Sequence, residues 1–292
     1  MLFQEKLKLK QNLVETRIKD LIEIKDTPAI IVEAMKYSLL AGGKRVRPIL
    51  TEVVCTALGG KTKEVMNLGC AIEMIHTYSL IHDDLPAMDN DSLRRGKPTN
   101  HIVFGDAMAI LAGDGLLNYA FEVVFRECIN SGFDARFIKA GEIIATASGV
   151  SGMIGGQVID IENEGKAIEI DDLYKMHRKK TGALIEAACL IGCVVSGNMK
   201  YYDIVKEYSQ NLGIAFQIID DILDYTGDEK KLGKNIGSDL ENNKATFVSL
   251  LGIDESKKLA EQYSLDAKKL AEEIDKDGFL VKLTEYLLHR EC

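Results

Sequence analysis

Apolar residues recur at helical spacing through almost the whole chain, and this pattern limits the possible folds more than any other feature. Alternating strand-like runs are missing. The stretch GALIEAACLIGCVV (182–195) is apolar nearly all round, which predicts a helix in the middle of a bundle. The sequence therefore predicts an all-α fold, with its main helices over roughly 48–58, 63–85, 105–129, 135–150, 172–197 and 202–225.

The composition is that of a globular protein with a large core. The chain has 292 residues, of which 46% are hydrophobic and 28% charged, and it contains no Pro/Ser/Gly-rich linker. We therefore expect one domain over residues 1–292, a large helical bundle around a central cavity. The formal net charge of -9 argues against a nucleic-acid partner, because phosphate backbones bind basic surfaces.

The N-terminal segment and the cysteines indicate the cellular compartment in which the protein is expected. The first residues, MLFQEKLKLK, are charged and carry no apolar signal-peptide core. The longest apolar runs fall short of the roughly 20 residues that span a bilayer. The six cysteines are scattered without a CxxC pair, which is typical of reduced thiols. We expect a cytoplasmic protein without a membrane span.

Two aspartate-rich stretches lie at the ends of predicted helices. The first, IHDDLPAMDND (81–91), contains Pro86, which cannot continue helical hydrogen bonding, so a turn presents its last acids. The second, FQIIDDILD (216–224), places acids and Gln217 along one helical stripe beside an apolar face. Like charges on one face repel each other, and burial strengthens the repulsion. Cations are therefore expected, with these candidate ligands: Asp83, Asp84, Asp89, Asp220, Asp221 and Asp224.

Carboxylate oxygens without His or Cys favour a hard cation such as Mg²⁺. Mg²⁺ typically takes one or two carboxylates, and substrate phosphates and water fill its other positions. Two facing clusters would suit a diphosphate bridged by two or three Mg²⁺ ions. Aspartate pairs can also simply cap helices. Two clusters at helix ends, each followed by a basic loop, make coincidence a poor explanation.

Basic residues accompany the acids in GGKRVRP (42–48), RRGK (94–97) and KKT (179–181). Arg suits bidentate phosphate contacts, and Lys supplies a point charge. Lys180 falls on an otherwise apolar helical stripe and therefore needs an anionic partner. His76 lies at nearly the same angular position on its helix as Asp83, which leaves a core role and a site role equally open.

Together these blocks resemble the trans-isoprenyl diphosphate synthases, most closely the bacterial enzymes that make farnesyl diphosphate. The resemblance covers almost the entire chain through GGKRVRP, EMIHTYSLIHDDLPAMDNDSLRRGKPTNH, GGQVID, HRKKTGALI, FQIIDDILD and GKNIGSD. It implies a homodimer of the all-α isoprenoid synthase type with a deep central cavity. It also implies the reaction. Isopentenyl diphosphate condenses with dimethylallyl and then geranyl diphosphate, through Mg²⁺-assisted ionisation, condensation and proton loss.

The resemblance also assigns roles to individual residues. Metal binding falls to the six aspartates of the two clusters. The catalytic residues that the resemblance implies are Arg94, Lys180, Thr181 and Gln217. It also implies that these residues, together with Lys234 and Lys244, contact the allylic diphosphate. The diphosphate of isopentenyl diphosphate, which needs no metal, falls to Lys44, Arg47, His76 and Arg95.

Product length is expected to depend on Tyr78, five residues before Asp83 and about 7.5 Å along the helix axis. In the family that the chain resembles, a large residue here accompanies short products. With the small Ser79 beside it, this favours a fifteen-carbon product. Geranylgeranyl diphosphate synthesis stays open as an alternative. A terpene cyclase or a non-catalytic partner subunit fits less well, because both aspartate clusters are present.

Overall fold

The computed structural model of the protein describes residues 2–226 and 245–288. Helices form nearly all of this structure, which confirms the all-α prediction. In chain order they are α1 (Phe3–Leu21), α2 (Ala29–Leu39), α3 (Val46–Ala57), α4 (Thr62–Asp83), α5 (Asn100–Phe104), α6 (Asp106–Asn130), α7 (Ala135–Ser148), α8 (Met153–Asn163), α9 (Ile170–His177), α10 (Ala183–Ser196), α11 (Tyr202–Thr226), α12 (Phe247–Leu251), α13 (Ile253–Ile274) and α14 (Phe279–Leu288).

The helices α4 and α10 lie at the centre of the fold. The helix α4 packs between α3 and α6 and is buried for most of its length, and its polar residues Glu73 and Thr77 lie inside the protein. The helix α10 packs against α3, α7 and α11 and is buried from Leu184 to Val195 on nearly all sides. The predicted central helix over 182–195 is therefore confirmed. These two helices position the residues that follow or precede them at the site.

A π-helical turn, Arg178–Gly182, joins α9 to α10 where the sequence pattern predicts one regular helix over 172–197. Such turns are rare, and they often accompany functional sites. The backbone of α8 comes very close to this turn at Gly156. A Cβ on Gly156 would lie 2.7 Å or less from backbone atoms of Lys179 and Lys180. Glycine is therefore required for α8 to reach the turn.

Residues 86–104 lie between two predicted helices and show no helical apolar period, so the sequence predicts a non-helical segment, and this prediction is wrong for its last residues. A two-residue antiparallel ladder pairs Leu93 with Pro98 and Arg94 with Lys97. The short helix α5 (Asn100–Phe104) follows it directly. The residue Arg95, between the two strands, has φ 53°, a backbone conformation that tight hairpin turns require.

The cysteines within the described residues lie on α3, α4, α6 and α10. All five cysteines that the structure describes are free thiols in the interior. Burial raises the pKa of Cys193 on α10 to about 11 and, with help from nearby glutamates, the pKa of Cys55 on α3 to about 12. These thiols are therefore protonated at neutral pH and behave as small apolar side chains.

Among the described residues, α6 is the one helix that is long and apolar enough to cross a membrane. About 44% of its most apolar window is buried within the fold, where α6 packs against α2, α4 and α7. A core helix of a globular protein satisfies the same length and hydropathy criteria, so this helix alone is weak evidence for a span.

Candidate active site

One cavity of about 350 Å³ brings together residues from four distant parts of the sequence. Its walls come from α3, α4, α8 and the π-helical turn, with Met88 from the loop after α4. Seven residues that the sequence predicts for the site line it: Arg47, His76, Tyr78, Ser79, Asp83, Lys180 and Thr181. Gln157 of the GGQVID block also lines it. The cavity is therefore the candidate active site.

The predicted anionic partner of Lys180 is Asp160 on α8. The Lys180 ammonium lies 2.5 Å from Oδ2 of Asp160, whose carboxylate is buried. The close approach of α8 at Gly156 brings Asp160 to the turn, because the two residues lie one helical turn apart. The ion pair neutralises a lysine inside the bundle and holds its head group at the cavity wall.

The first aspartate cluster begins where α4 ends. The backbone N–H of Asp89 donates to the carbonyl oxygen of Asp83 at 2.9 Å, so a turn brings Asp89 back towards the helix end, as predicted. Burial raises the pKa of Asp83 to about 6; Lys180 opposes this rise and the charge of Asp89 adds to it. The half-buried Asp83 carboxylate thus faces both a cation and a second acid.

Asp84, the second member of the cluster, is bound to Arg94. Its Oδ1 lies 2.5 Å from Nη2 and 2.6 Å from Nε of Arg94, and the Asp84 side chain is buried. Arg94 also reaches Asp91 at 3.3 Å. In this structure the guanidinium of Arg94 and the carboxylate of Asp84 form an ion pair away from the main cavity, in a narrow neighbouring pocket. Their roles in diphosphate and metal binding stay predictions.

The second aspartate cluster is connected to the cavity by a chain of hydrogen bonds. The hydroxyl of Thr181 donates to Oε1 of Gln217 at 3.1 Å, and Nε2 of Gln217 donates to Oδ1 of Asp221 at 3.0 Å. The backbone N–H of Phe247 on α12 donates to Oδ2 of Asp221 at 2.8 Å. Asp221 and Asp224 are buried and Asp220 is half-buried. The helix stripe predicted from the spacing therefore lies beside the π-helical turn.

A cationic region surrounds His76 at the other side of the cavity. Burial and then the positive charges of Arg47, Arg95, Arg94 and Arg45 hold the pKa of His76 well below its usual value, so the imidazole is neutral. Burial lowers the pKa of Arg47 as well. Nε of Arg47 is buried and has no hydrogen-bond partner among the described residues. An anion bound here would satisfy that donor.

Arg95 and Lys44, like Arg94, belong to the basic blocks but lie outside the cavity lining. Arg95 donates through Nη1 to the carbonyl oxygen of Gly42, which ties the RRGK hairpin to the GGKRVRP loop. The Lys44 side chain is exposed, with its ammonium 5.8 Å from the ring centre of Tyr286. Lys234 and Lys244 lie outside the described residues.

The sequence analysis missed a buried ion pair beneath the cationic region. Arg45 is only 2% exposed and has a left-handed backbone with φ 52°. It donates to Glu73 at 2.9 Å, to Glu15 at 2.6 Å and to the carbonyl oxygen of Leu39 at 2.7 Å. Glu73 could have been noticed as the only acid in the apolar stretch GCAIEMIHTYSLI (69–81).

The donor set fits Mg²⁺ bound together with a diphosphate. Within residues 2–226 and 245–288, no three acidic, histidine or cysteine side chains converge into a closed metal site. Mg²⁺ does not need one, because it keeps water and takes substrate phosphate oxygens around one or two carboxylates. A divalent cation beside Asp83 would offset the burial and the charge of Asp89, which together raise the pKa of this carboxylate. Asp83 and Asp89 would hold such an ion from the first cluster.

The neutral state of His76 predicts a pH dependence of stability. The unfolded chain takes up a proton on this imidazole near pH 6.5, while the folded protein resists it, so the free energy of unfolding falls as the pH drops below about 6.5. His76→Gln removes the titrating group and should lose less stability than the wild type between pH 7 and pH 5. Urea unfolding of the metal-free proteins at both pH values measures this. Parallel losses in the two proteins would contradict it.

Known proteins similar to this chain bind or make isoprenyl diphosphates, according to the names of those that follow. The family model for polyprenyl synthetase matches residues 28–277. A farnesyl diphosphate synthase of Geobacillus stearothermophilus is 47% identical over 269 residues, which cover 91% of this chain and 90% of the relative. A geranylgeranyl diphosphate synthase of Cyanophora paradoxa is 47% identical over 266 residues, which cover 90% of this chain and 88% of the relative.

A solved structure with the same fold extends the similarity to three dimensions. The geranyltransferase of Helicobacter pylori, complexed with magnesium and isoprenyl diphosphate, superposes with a TM-score of 0.85 at 30% identity. The alignment covers 99% of this chain and 97% of that structure. The family match spans most of the chain, and both relatives are 47% identical to it over about nine tenths of their own length. The chain therefore belongs to the polyprenyl synthetase family, and its activity is prenyl transfer.

Proposed function

We propose that the protein is a Mg²⁺-dependent farnesyl diphosphate synthase. It condenses isopentenyl diphosphate with dimethylallyl diphosphate and then with geranyl diphosphate. The observation that carries this proposal is a single cavity lined by Asp83, Lys180 and Thr181. The buried Tyr78, five residues before Asp83 on α4, lines the same cavity. Diphosphate-binding chemistry and a bulky side chain thus line the same cavity.

Lys180 and Thr181 are proposed to bind the allylic diphosphate as its C–O bond breaks. When bound, Mg²⁺ supplies Lewis-acid stabilisation of the charge that develops on the leaving diphosphate. The ammonium of Lys180, oriented by Asp160, adds a preorganised positive charge at the same place. The hydroxyl of Thr181 and the amide of Gln217 form a fixed polar pair next to the reacting centre. Removal of water protects the allylic cation until the double bond attacks.

The cationic region is proposed to bind the diphosphate of isopentenyl diphosphate. Arg47 supplies a buried donor without a partner among the described residues, and the neutral His76 can donate without adding to the repulsion between the arginines. Arg95 lies close enough to lower the pKa of Arg47 through its charge. This arrangement binds an anion without a metal. The departing diphosphate, rather than a side chain, is proposed to take the proton that ends each condensation.

A twenty-carbon product is the second candidate. The relative from Cyanophora paradoxa, named a geranylgeranyl diphosphate synthase, has the same 47% identity as the farnesyl diphosphate synthase from Geobacillus stearothermophilus. Similarity alone therefore does not separate the two products. The position of Tyr78 favours the shorter one, because its bulky ring lines the cavity about one and a half helical turns from Asp83, where a smaller side chain would leave more room for a longer chain.

Incubation with isopentenyl and dimethylallyl diphosphates tests the function directly. We expect a fifteen-carbon alcohol after dephosphorylation and chromatography when Mg²⁺ is present, and no condensation product when a chelator replaces it. The expected metal dependence follows from the oxygen-only donor set at the first cluster. A lack of product with Mg²⁺ would refute the synthase proposal, whereas a twenty-carbon main product would refute only the product length.

Replacement of Tyr78 tests the proposed control of product length. Tyr78→Ala removes a buried ring from the cavity wall and should shift the main product from fifteen to twenty carbons or more. The neighbouring Ser79→Ala, which changes little volume at the same cavity, is the matched control and should keep the fifteen-carbon product. The same chromatography reads both variants. An unchanged product in Tyr78→Ala would remove this residue from the proposal.

We further propose a homodimer that forms through the outward face of α6. Ile110 and Leu111 near the start of α6 and Phe125 and Ile129 near its end lie on this face and are 44–65% exposed, so two apolar pairs are available for burial against a second copy of the chain. Sedimentation should show a dimer, and Phe125→Asp should convert it to a monomer because the interface would bury a charge. Leu265→Asp, at an exposed position on α13, is the control that should stay dimeric.

A further inference from the structure

The histidine between Tyr78 and the first aspartate cluster occupies an unusual position. His82 lines the cavity one helical turn after Tyr78, immediately before Asp83. Its imidazole meets the Tyr78 ring edge to face, with ring centres 5.7 Å apart and an interplanar angle of 81°. Edge-to-face aromatic pairs are attractive, and their geometry is directional. The two rings therefore hold each other in one orientation along the cavity wall.

The other side of the imidazole is fixed by α6. Nε2 of His82 donates to the backbone carbonyl oxygen of Ile110 at 3.0 Å. Directly beneath it lies Gly113, where a Cβ would be 2.9 Å or less from three atoms of the ring. The absence of a side chain at 113 thus creates the space in which the imidazole lies. Asp114, 3.9 Å from Nε2, is the nearest acid on this helix.

We propose that His82 is a second determinant of product length and acts by holding Tyr78 in place. This inference rests on the proposed synthase function and on the role of Tyr78. The imidazole is fixed to α6 through Ile110 and the space at Gly113, and its outer face supports the tyrosine ring across the path of the growing chain.

The support matters because a tyrosine at the end of a cavity stops elongation only if its ring stays there. Rotation about χ1 moves such a ring between staggered rotamers. Within the described residues, His82 is the aromatic neighbour that occupies the space beside Tyr78. Loss of the imidazole leaves room into which the tyrosine ring can turn, and the cavity then lengthens. A change of this kind in an apolar pocket alters discrimination between chain lengths by about tenfold or more.

Two substitutions on different helices test the proposal in opposite directions. His82→Ala should raise the ratio of twenty-carbon to fifteen-carbon product by about tenfold. Gly113→Ala places a methyl group where the imidazole lies and pushes the ring towards Tyr78 and the cavity, because the backbone of α6 blocks the other side. It should therefore increase the fraction of ten-carbon product. The measurement is chromatography of the dephosphorylated alcohols.

The double variant gives the sharpest readout. Without the imidazole the methyl group at 113 has nothing to displace, so His82→Ala/Gly113→Ala should reproduce the product pattern of His82→Ala alone. Contacting residues show such non-additivity, whereas independent sites add. His101→Ala removes another buried histidine, outside the cavity lining, and should leave the pattern unchanged. Thermal unfolding of each variant confirms that products come from folded protein.

The outcomes separate this inference from the proposed function. If Tyr78→Ala lengthens the product and His82→Ala does not, the support by His82 is wrong while the tyrosine keeps its role. Additive effects of the two substitutions in the double variant would overturn the inference as well. If the wild type forms no condensation product from the two diphosphates, the proposed function itself fails.

Discussion

Charge buried inside a helical bundle is the constraint on which the rest of this structure depends. Removal of one partner from a buried ion pair costs about 3–5 kcal/mol, since the other charge is left in an apolar interior. Arg45 with Glu73 is such a fully buried pair, and Arg94 with Asp84 and Lys180 with Asp160 each join a half-buried cation to a buried carboxylate. Each connects different elements, so the pairs fix how helices and loops meet around the cavity, and the pair of Lys180 with Asp160 also keeps a positive charge at the cavity wall.

The main helices could be predicted because their apolar period continues for many residues. The predicted helix over 63–85 is observed as Thr62–Asp83, and the one over 202–225 as Tyr202–Thr226. The π-helical turn could not be predicted, because the helices on both sides keep a regular period and one wider turn leaves no mark in composition. The helix α5 was missed for another reason. Five residues are too few to show a period.

The sequence indicated several residues that line the cavity, such as Asp83 and Lys180, but not the contacts that these residues make. Lys180 could be recognised in the sequence because it is a cation on an apolar stripe. Its partner Asp160 is 20 residues away, and only the fold brings the two side chains together. Asp84 and Asp221 have the same chemistry as their neighbours in the clusters, so the sequence cannot tell which carboxylates take protein donors. In the structure Asp84 accepts from Arg94, and Asp221 accepts from Gln217 and Phe247.

Alkylation of the buried thiols would report local opening of the helices that carry them. Only a thiolate reacts quickly with alkylating reagents, and Cys55 and Cys193 are both buried and protonated at neutral pH. Modification therefore requires α3 or α10 to separate from the core. Since α10 continues directly from the π-helical turn that carries Lys180 and Thr181, the rate at which Cys193 is labelled follows the opening of the helix that anchors this turn.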